Sequence, residues 1–181
     1  MQKDDSLLVF KILSVIAFII SAYLLIRSAT YIPNPIFNIT KSFVPVSQLS
    51  TVGYVEVKPD AQVVGDIGVV TLTGGCYQVS GRTEAWIAQS IIDGLANKTR
   101  FRPDAHDVFR DALNTLGVKV VMVKVVDIKN STFIGRLILQ QGSKLVSLDI
   151  RPSNGCAIAI RTGAPIYMRK DLMEKYGKKI C

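Results

Sequence analysis

The sequence predicts an α+β fold: a mixed, largely antiparallel sheet with helices packed on it, preceded by one N-terminal transmembrane helix. Two observations carry that expectation. A mean hydropathy of +0.31 beside 20% charged residues points to a concentrated apolar block. Strand-like and helix-like runs then come in groups rather than in strict alternation, which argues against a doubly wound α/β sheet. A chain of 181 residues has room for one core plus an appendage.

The apolar block runs from Leu7 to Ile26, LLVFKILSVIAFIISAYLLI. As a helix it spans roughly the 30 Å hydrocarbon core of a bilayer. Only Lys11 interrupts it, and its stem can reach toward the headgroups. Phe10, Tyr23 and Tyr31 stand where interfacial aromatics usually lie. A buried core helix would keep a polar face, which this run lacks. A cleaved signal peptide would have a shorter apolar region and small residues at a cleavage site, whereas this run ends in LLIRSAT, so a retained anchor over 1–27 is expected.

Residues 28–51 carry Pro33, Pro35 and Pro45 and read as an extended stalk, leaving 52–181 as the compact domain. Lys3 and Lys11 on one side of the anchor balance Arg27 and Lys41 on the other, so the positive-inside rule abstains. Sequons at Asn38, Asn97 and Asn130 lean toward an extracytoplasmic domain. Three cysteines are not a disulfide framework; Cys76 and Cys156 read either as a pair or as small core residues.

The domain opens with strand-like runs, GYVEVKP and then QVVGDIGVVTLTGG, rich in Val and Ile. After CYQVSG the period changes. Ala85, Ile87, Ala88, Ile91, Ile92 and Leu95 recur at helical spacing, predicting a helix of about four turns. Asp104 caps a second helix ended by Gly117, with Asp107 in its positively polarised first turn. VKVVMVKVVDIKN, TFIGRLILQQ and KLVSLDI predict an antiparallel meander. A short helix after Pro152, a strand over Pro165–Met168 and a helix over Asp171–Tyr176 complete the pattern.

Several of these residues form a recognisable set. Gly81-x-x-Glu84-Ala85, Arg102-Pro103-x-x-His106-Asp107, Asp149-x-Arg151-Pro152-Ser153 and Arg161-Thr162-x-Ala164-Pro165-Ile166-Tyr167, in this order and spacing, closely resemble the bifunctional nuclease domain family. The resemblance covers about 53–177. It implies an α+β fold that associates into homo-oligomers and acts on DNA and RNA. Members of the family usually carry Asp after Arg-Pro-Ser, where this chain has Asn154. A membrane anchor is not part of the common family pattern.

Phosphodiester hydrolysis needs neutralised phosphate oxygens and an activated water, commonly through a divalent ion such as Mg²⁺ or Mn²⁺ held by carboxylates. Glu84, His106, Asp107 and Asp149 are the catalytic candidates, with Glu84 and Asp149 as metal ligands. Arg151 and Arg161 are the phosphate-binding candidates. Each also has a plainer use: Glu84 and Asp107 at helix starts, His106 in a local hydrogen bond, Arg151 in an ion pair with Asp149. Trp86, on the apolar helix, reads as core rather than a stacking platform.

A net charge of +8 suits a polyanion. Arg100, Arg102, Arg110, Lys124, Lys144, Arg169, Lys170, Lys178 and Lys179 are further candidates for phosphate contacts, and acidic lipid headgroups would attract the same residues. No phosphate-cradling Gly-x-x-x-x-Gly-Lys loop, Cys-x-x-Cys or serine nucleophile elbow is present, which sets aside nucleotide hydrolysis, thiol redox chemistry and acyl transfer. Two expectations remain: a membrane-anchored nuclease, or a non-catalytic oligomerising or interaction module that keeps the fold.

Overall fold

The computed structural model describes residues 3–30 and 48–181, and in the first stretch it describes the side chains at 11 and 13–27. Most of the expected stalk, with Tyr31 and the sequon at Asn38, lies outside the described residues, as does the Phe10 side chain. The chain divides into two compact units, Met1–Lys41 and Ser42–Cys181.

In the first unit, α1 (Lys3–Thr30) is 28 residues long. Its described apolar side chains, from Leu13 to Ile26, are mostly exposed, and they lie all round the helix rather than on one stripe. Among the described residues no helix is long and apolar enough to cross a membrane. The described side chains stop short of the 7–26 run on which the expected span rests, so that span is not shown.

The second unit contains two sheets. The expected opening strand is two strands, β1 (Tyr54–Glu56) and β2 (Lys58–Val64), which part company at the buried Val57. β2 continues into β3 (Ile67–Gly74) and β4 (Tyr77–Glu84) as an antiparallel meander closed by β9 (Lys178–Lys179), in the order β2-β3-β4-β9. The other sheet has the order β1-β8-β5-β6-β7, from β5 (Lys119–Lys129), β6 (Thr132–Gln141), β7 (Lys144–Ile150) and β8 (Ile166–Arg169). β5, β6 and β7 form the expected meander, while β8 lies parallel to β5 and antiparallel to β1.

Helices join the sheets. α2 (Ala85–Leu95) lies on β2 and β3 and packs against α4 (Pro152–Thr162), which in turn lies on β5 and β6. α3 (Ala105–Thr115) packs on α4, and α5 (Lys170–Tyr176) closes the β4 end. Ile87, Ala88 and Ile91 put the apolar stripe of α2 into a core cluster that also holds Ala61, Val70, Cys156 and Ala159. Burial of each isoleucine side chain stabilises the fold by about 1.5–3 kcal/mol. α2 is a turn shorter than expected, ending at Leu95.

Two glycines set how closely these layers approach. A Cβ on Gly68 of β3 would sit 2.6 Å from Ala88 Cβ and 2.7 Å from the Glu84 carbonyl oxygen, so this strand must be bare where α2 begins. A Cβ on Gly155 would meet Val123 Cγ1 at 2.7 Å, which fixes the seat of α4 on β5.

The cysteines pair otherwise than expected. Cys76, in the β3–β4 turn, is bonded to Cys181 at the other end of the domain, and Cys156 is a free, fully buried thiol in α4. Burial pushes the Cys156 thiol up to about 12, so it behaves as a small core residue. The sheet position of Lys124 also overturns its reading as a phosphate contact. Its ammonium is buried in β5, donating to the Gln48 and Ser50 carbonyls at 3.2 and 2.8 Å and lying 3.8 Å above the Tyr54 ring.

Candidate functional site

The starts of three helices meet at one place; the ends of β4 and β7 deliver α2 and α4 there, and α3 follows α2 through a loop. Glu84 is both the last residue of β4 and the N-cap of α2; Arg151 follows β7 and is the N-cap of α4. Neither side chain caps its own helix. They turn to each other instead, Arg151 Nη1 donating to Glu84 Oε1 at 2.6 Å. Beside them the Thr83 hydroxyl contacts Ser153 Oγ at 3.0 Å and Glu84 Oε2 at 3.1 Å.

This pair stays open to solvent, with side-chain exposures of 66% for Arg151 and 47% for Glu84. Its own backbone N–H, then Arg151 and Thr83, hold the Glu84 carboxyl below its ordinary value, so it is ionised at neutral pH. An exposed cation and anion with unfilled hydrogen-bonding capacity can exchange partners with an incoming ligand, because water and salt already weaken their attraction.

Behind the pair lies a polar cluster of the opposite kind. Asp104 caps α3 by accepting from the backbone N–H groups of His106 and Asp107, and Asp107 returns a bond to the Asp104 N–H, completing a capping box. Arg161 projects into this box from α4. Its side chain is only 3% exposed and donates to Asp107 Oδ1 at 2.7 Å, Asp104 Oδ2 at 3.0 Å, and the Ser90 and Ala157 carbonyls. All of its nitrogens are engaged in holding α2, α3 and α4 together. Arg161 is thus a structural cross-brace and not the phosphate ligand expected from its motif.

His106 sits in the same cluster. The Ser90 hydroxyl has one proton, which it gives to Asp104 Oδ2 at 2.5 Å, so His106 Nδ1, 2.9 Å from Ser90 Oγ, must be the donor in that contact. Nε2 lies 3.3 Å from Asn154 Oδ1, a contact that becomes a hydrogen bond when the ring is protonated and Nε2 also carries a proton. Burial lowers the His106 pKa, against the smaller opposing pull of Asn154 and Asp104, and favours the neutral ring. Burial pushes the Asp104 carboxyl up, but Ser90, the Asp107 and His106 backbone and Arg161 together bring it below its ordinary value. Asp107 is 5% exposed. The structure therefore places His106 and Asp107 in a buried framework rather than at an open catalytic surface.

Asp149 goes elsewhere. It lies on β7 opposite Arg136 of β6, whose Nη1 is 3.6 Å away, and it is 73% exposed. The two carboxylates expected to share a metal ion each have their own arginine, and Arg151 pairs with Glu84 rather than with Asp149. Among the described residues no group of three His, Cys, Asp or Glu side chains is placed to hold a metal ion. The donor set of the described residues does not fit a protein-held divalent ion.

Sequence reasoning missed two neighbours. Arg136 carries no local signal and becomes visible only through strand register. Trp86, expected in the core, is 56% exposed and stacks on the His106 ring, with centroids 5.8 Å apart and planes 21° from parallel. Its place as the second residue of α2 turns it off the buried stripe of Ile87, Ala88 and Ile91.

An α+β domain that presents an acid–arginine pair at the joined starts of two helices is the class defined by this geometry. Residues 83–180 match the model of the bifunctional nuclease domain, and the chain belongs to that family. An uncharacterized protein of Mycobacterium tuberculosis (strain H37Rv) is 34% identical over 96 residues, 51% of this chain and 57% of that protein. Bifunctional nuclease 1 of Arabidopsis thaliana is 27% identical over 93 residues, covering 50% of this chain and 29% of the plant protein. Bifunctional nuclease 2 of the same plant is 28% identical over 93 residues, with 50% and 28% covered. The chain thus spans 57% of the mycobacterial relative and under a third of the plant ones.

Proposed function

We propose that this chain is a nuclease that hydrolyses phosphodiester bonds of DNA or RNA at the Glu84–Arg151 pair. The observation that carries this reading is the pair itself: an ionised carboxylate and a guanidinium, both exposed, joined at 2.6 Å inside the matched family region. A phosphate arriving at Arg151 competes for the donors that Glu84 holds. Released from that bond, the Glu84 carboxyl returns toward its ordinary pKa and becomes a better proton acceptor. It then takes a proton from the water whose oxygen bonds to phosphorus as the P–O bond to the leaving sugar breaks, the departing sugar oxygen taking a proton from solvent. Thr83 and Ser153 supply hydroxyl donors beside the phosphate, and Arg136 with Asp149 extends the charged strip.

Incubation of the full chain with single-stranded and duplex DNA and RNA, with Mg²⁺, Mn²⁺ or chelator, tests this reading. Cleavage lost in Glu84→Gln and Arg151→Ala supports it. Cleavage by both variants at the parent rate would move the site elsewhere, and no cleavage by the parent would remove the activity.

A second reading, a non-catalytic assembly or interaction module, draws support from the separation of Glu84 and Asp149 into different ion pairs and from Asn154 in place of a carboxylate. Cleavage-free protein that forms a stable homo-oligomer by light scattering supports this second reading.

Membrane anchoring through the 7–26 run and an extracytoplasmic domain belong to the same proposal. The exposed apolar residues of α1 favour an anchor, and the Cys76–Cys181 disulfide favours an oxidising compartment. Protease protection in intact membranes checks both. A domain shielded on the cytoplasmic side overturns the assignment of side, and a chain washed from membranes by high salt overturns the anchor.

A further inference from the structure

We propose that Trp86 is a stacking platform for an unpaired nucleobase, placed to receive the base whose phosphate lies at Arg151. The inference rests on the nucleic-acid reading of the same site. More than half of Trp86 is exposed although its indole stacks, displaced, on the His106 ring, so ring surface remains for a ligand.

The backing ring is fixed. His106 Nδ1 is bonded to Ser90 and the ring is buried. The indole is therefore held in one orientation before any ligand arrives, which reduces the ordering cost of binding. Trp86 follows Glu84 by two residues on the same helix start, and Glu84 holds the exposed Arg151. A flat aromatic group two residues from the carboxylate that holds an exposed guanidinium matches the two ends of a nucleotide. Stacking on an indole requires an unstacked base and accepts any of the four, which selects single-stranded substrate without sequence preference.

The net charge of +8 complements the polyanion. A lipid surface would also accept an exposed tryptophan, but interfacial insertion needs a broad apolar face. Trp86 instead follows the polar Thr83 and Glu84 in the chain, and Glu84 is bonded to Arg151.

The chain has one tryptophan, so its fluorescence reports this position alone. The full chain in detergent micelles is titrated with a single-stranded oligonucleotide, its abasic counterpart and a blunt duplex, and in a separate arm reconstituted protein is mixed with phosphatidylglycerol vesicles. Expected are quenching by the base-bearing single strand and little by the other two nucleic acids. By anisotropy of a labelled single strand, Trp86→Leu should bind about tenfold more weakly and Trp86→Tyr near the parent value. Circular dichroism verifies the fold of both variants. Binding without quenching, together with parent-like affinity of Trp86→Leu, overturns the platform while leaving the nucleic-acid reading intact. A fluorescence response to vesicles alone assigns Trp86 to a lipid surface and overturns it too. Absence of any nucleic-acid binding overturns both.

Discussion

The Glu84–Arg151 pair and the Asp104–Asp107–Arg161 cluster use the same chemistry in opposite surroundings. Both join carboxylate to guanidinium, at 2.6 Å across two helix starts in one, and at 2.7 and 3.0 Å from the last turn of α4 to the start of α3 in the other. In the first, both partners face water; in the second, the Arg161 side chain is 3% exposed and Asp107 5%. The difference decides what each can do. A buried pair cannot give up its partner without stranding a charge in low dielectric, so it fixes geometry. An exposed pair loses little on separation and is free to engage a ligand. Of two arginine motifs that look equivalent along the chain, the fold makes one a brace and the other a candidate hand.

Breaking the brace gives the largest expected effect. Arg161→Met keeps much of the volume but leaves Asp104 and Asp107 without their common cation, at a cost of about 3–5 kcal/mol. Urea denaturation should show the midpoint fall with the slope unchanged. Arg161→Lys should recover only part of the loss, because an ammonium cannot reproduce the fork to two carboxylates and two carbonyls. A parent-like midpoint for Arg161→Met would remove the distinction between the two regions.

A smaller effect is expected from pH, and it separates the regions again. Folded His106 binds its proton less readily than the ordinary imidazole near 6.5, so the unfolded chain holds more protons just below that pH. Stability present above about pH 6.5 is therefore lost as pH falls through the window beneath it. A second decline belongs lower, where Asp104 and Glu84, both held below their ordinary values, must protonate. His106→Gln should flatten the first decline and leave the second. Thermal melts across about pH 2–8, in roughly half-unit steps, read both.

How much of this could be read from the chain depended on whether a feature was local. The Asp104 cap, the α2 stripe and the β5–β7 meander follow from spacing within a few residues, and all three form. The break at Val57 into two sheets and the parallel β5–β8 pair do not, since they depend on partners far along the chain. Cys181 pairs with Cys76 across 105 residues for the same reason. At the site, Glu84 and Arg151 were legible as residues, but their partnership was not: sequence proximity pointed Arg151 toward Asp149, whose register partner on β6 is Arg136. Burial was least legible of all. Nothing in Arg161-Thr162 says that this guanidinium is enclosed, and nothing in Glu84-Ala85-Trp86 says that the indole faces out.

The smallest expected effect sharpens the comparison from the exposed side. Arg151→Ala should leave the thermal midpoint unchanged, because the pair it breaks is already solvated. Its effect should appear in binding to single-stranded nucleic acid, as a uniform weakening across sequences. In a plot of log affinity against log salt, the slope should shrink by about one phosphate contact. Arg110→Ala serves as the control, since Arg110 is bonded to Asp111 on α3. It should lower neither slope nor affinity by as much. An unchanged salt slope in Arg151→Ala would mean that this guanidinium never touches phosphate, and the exposed pair would then be only a looser version of the brace behind it.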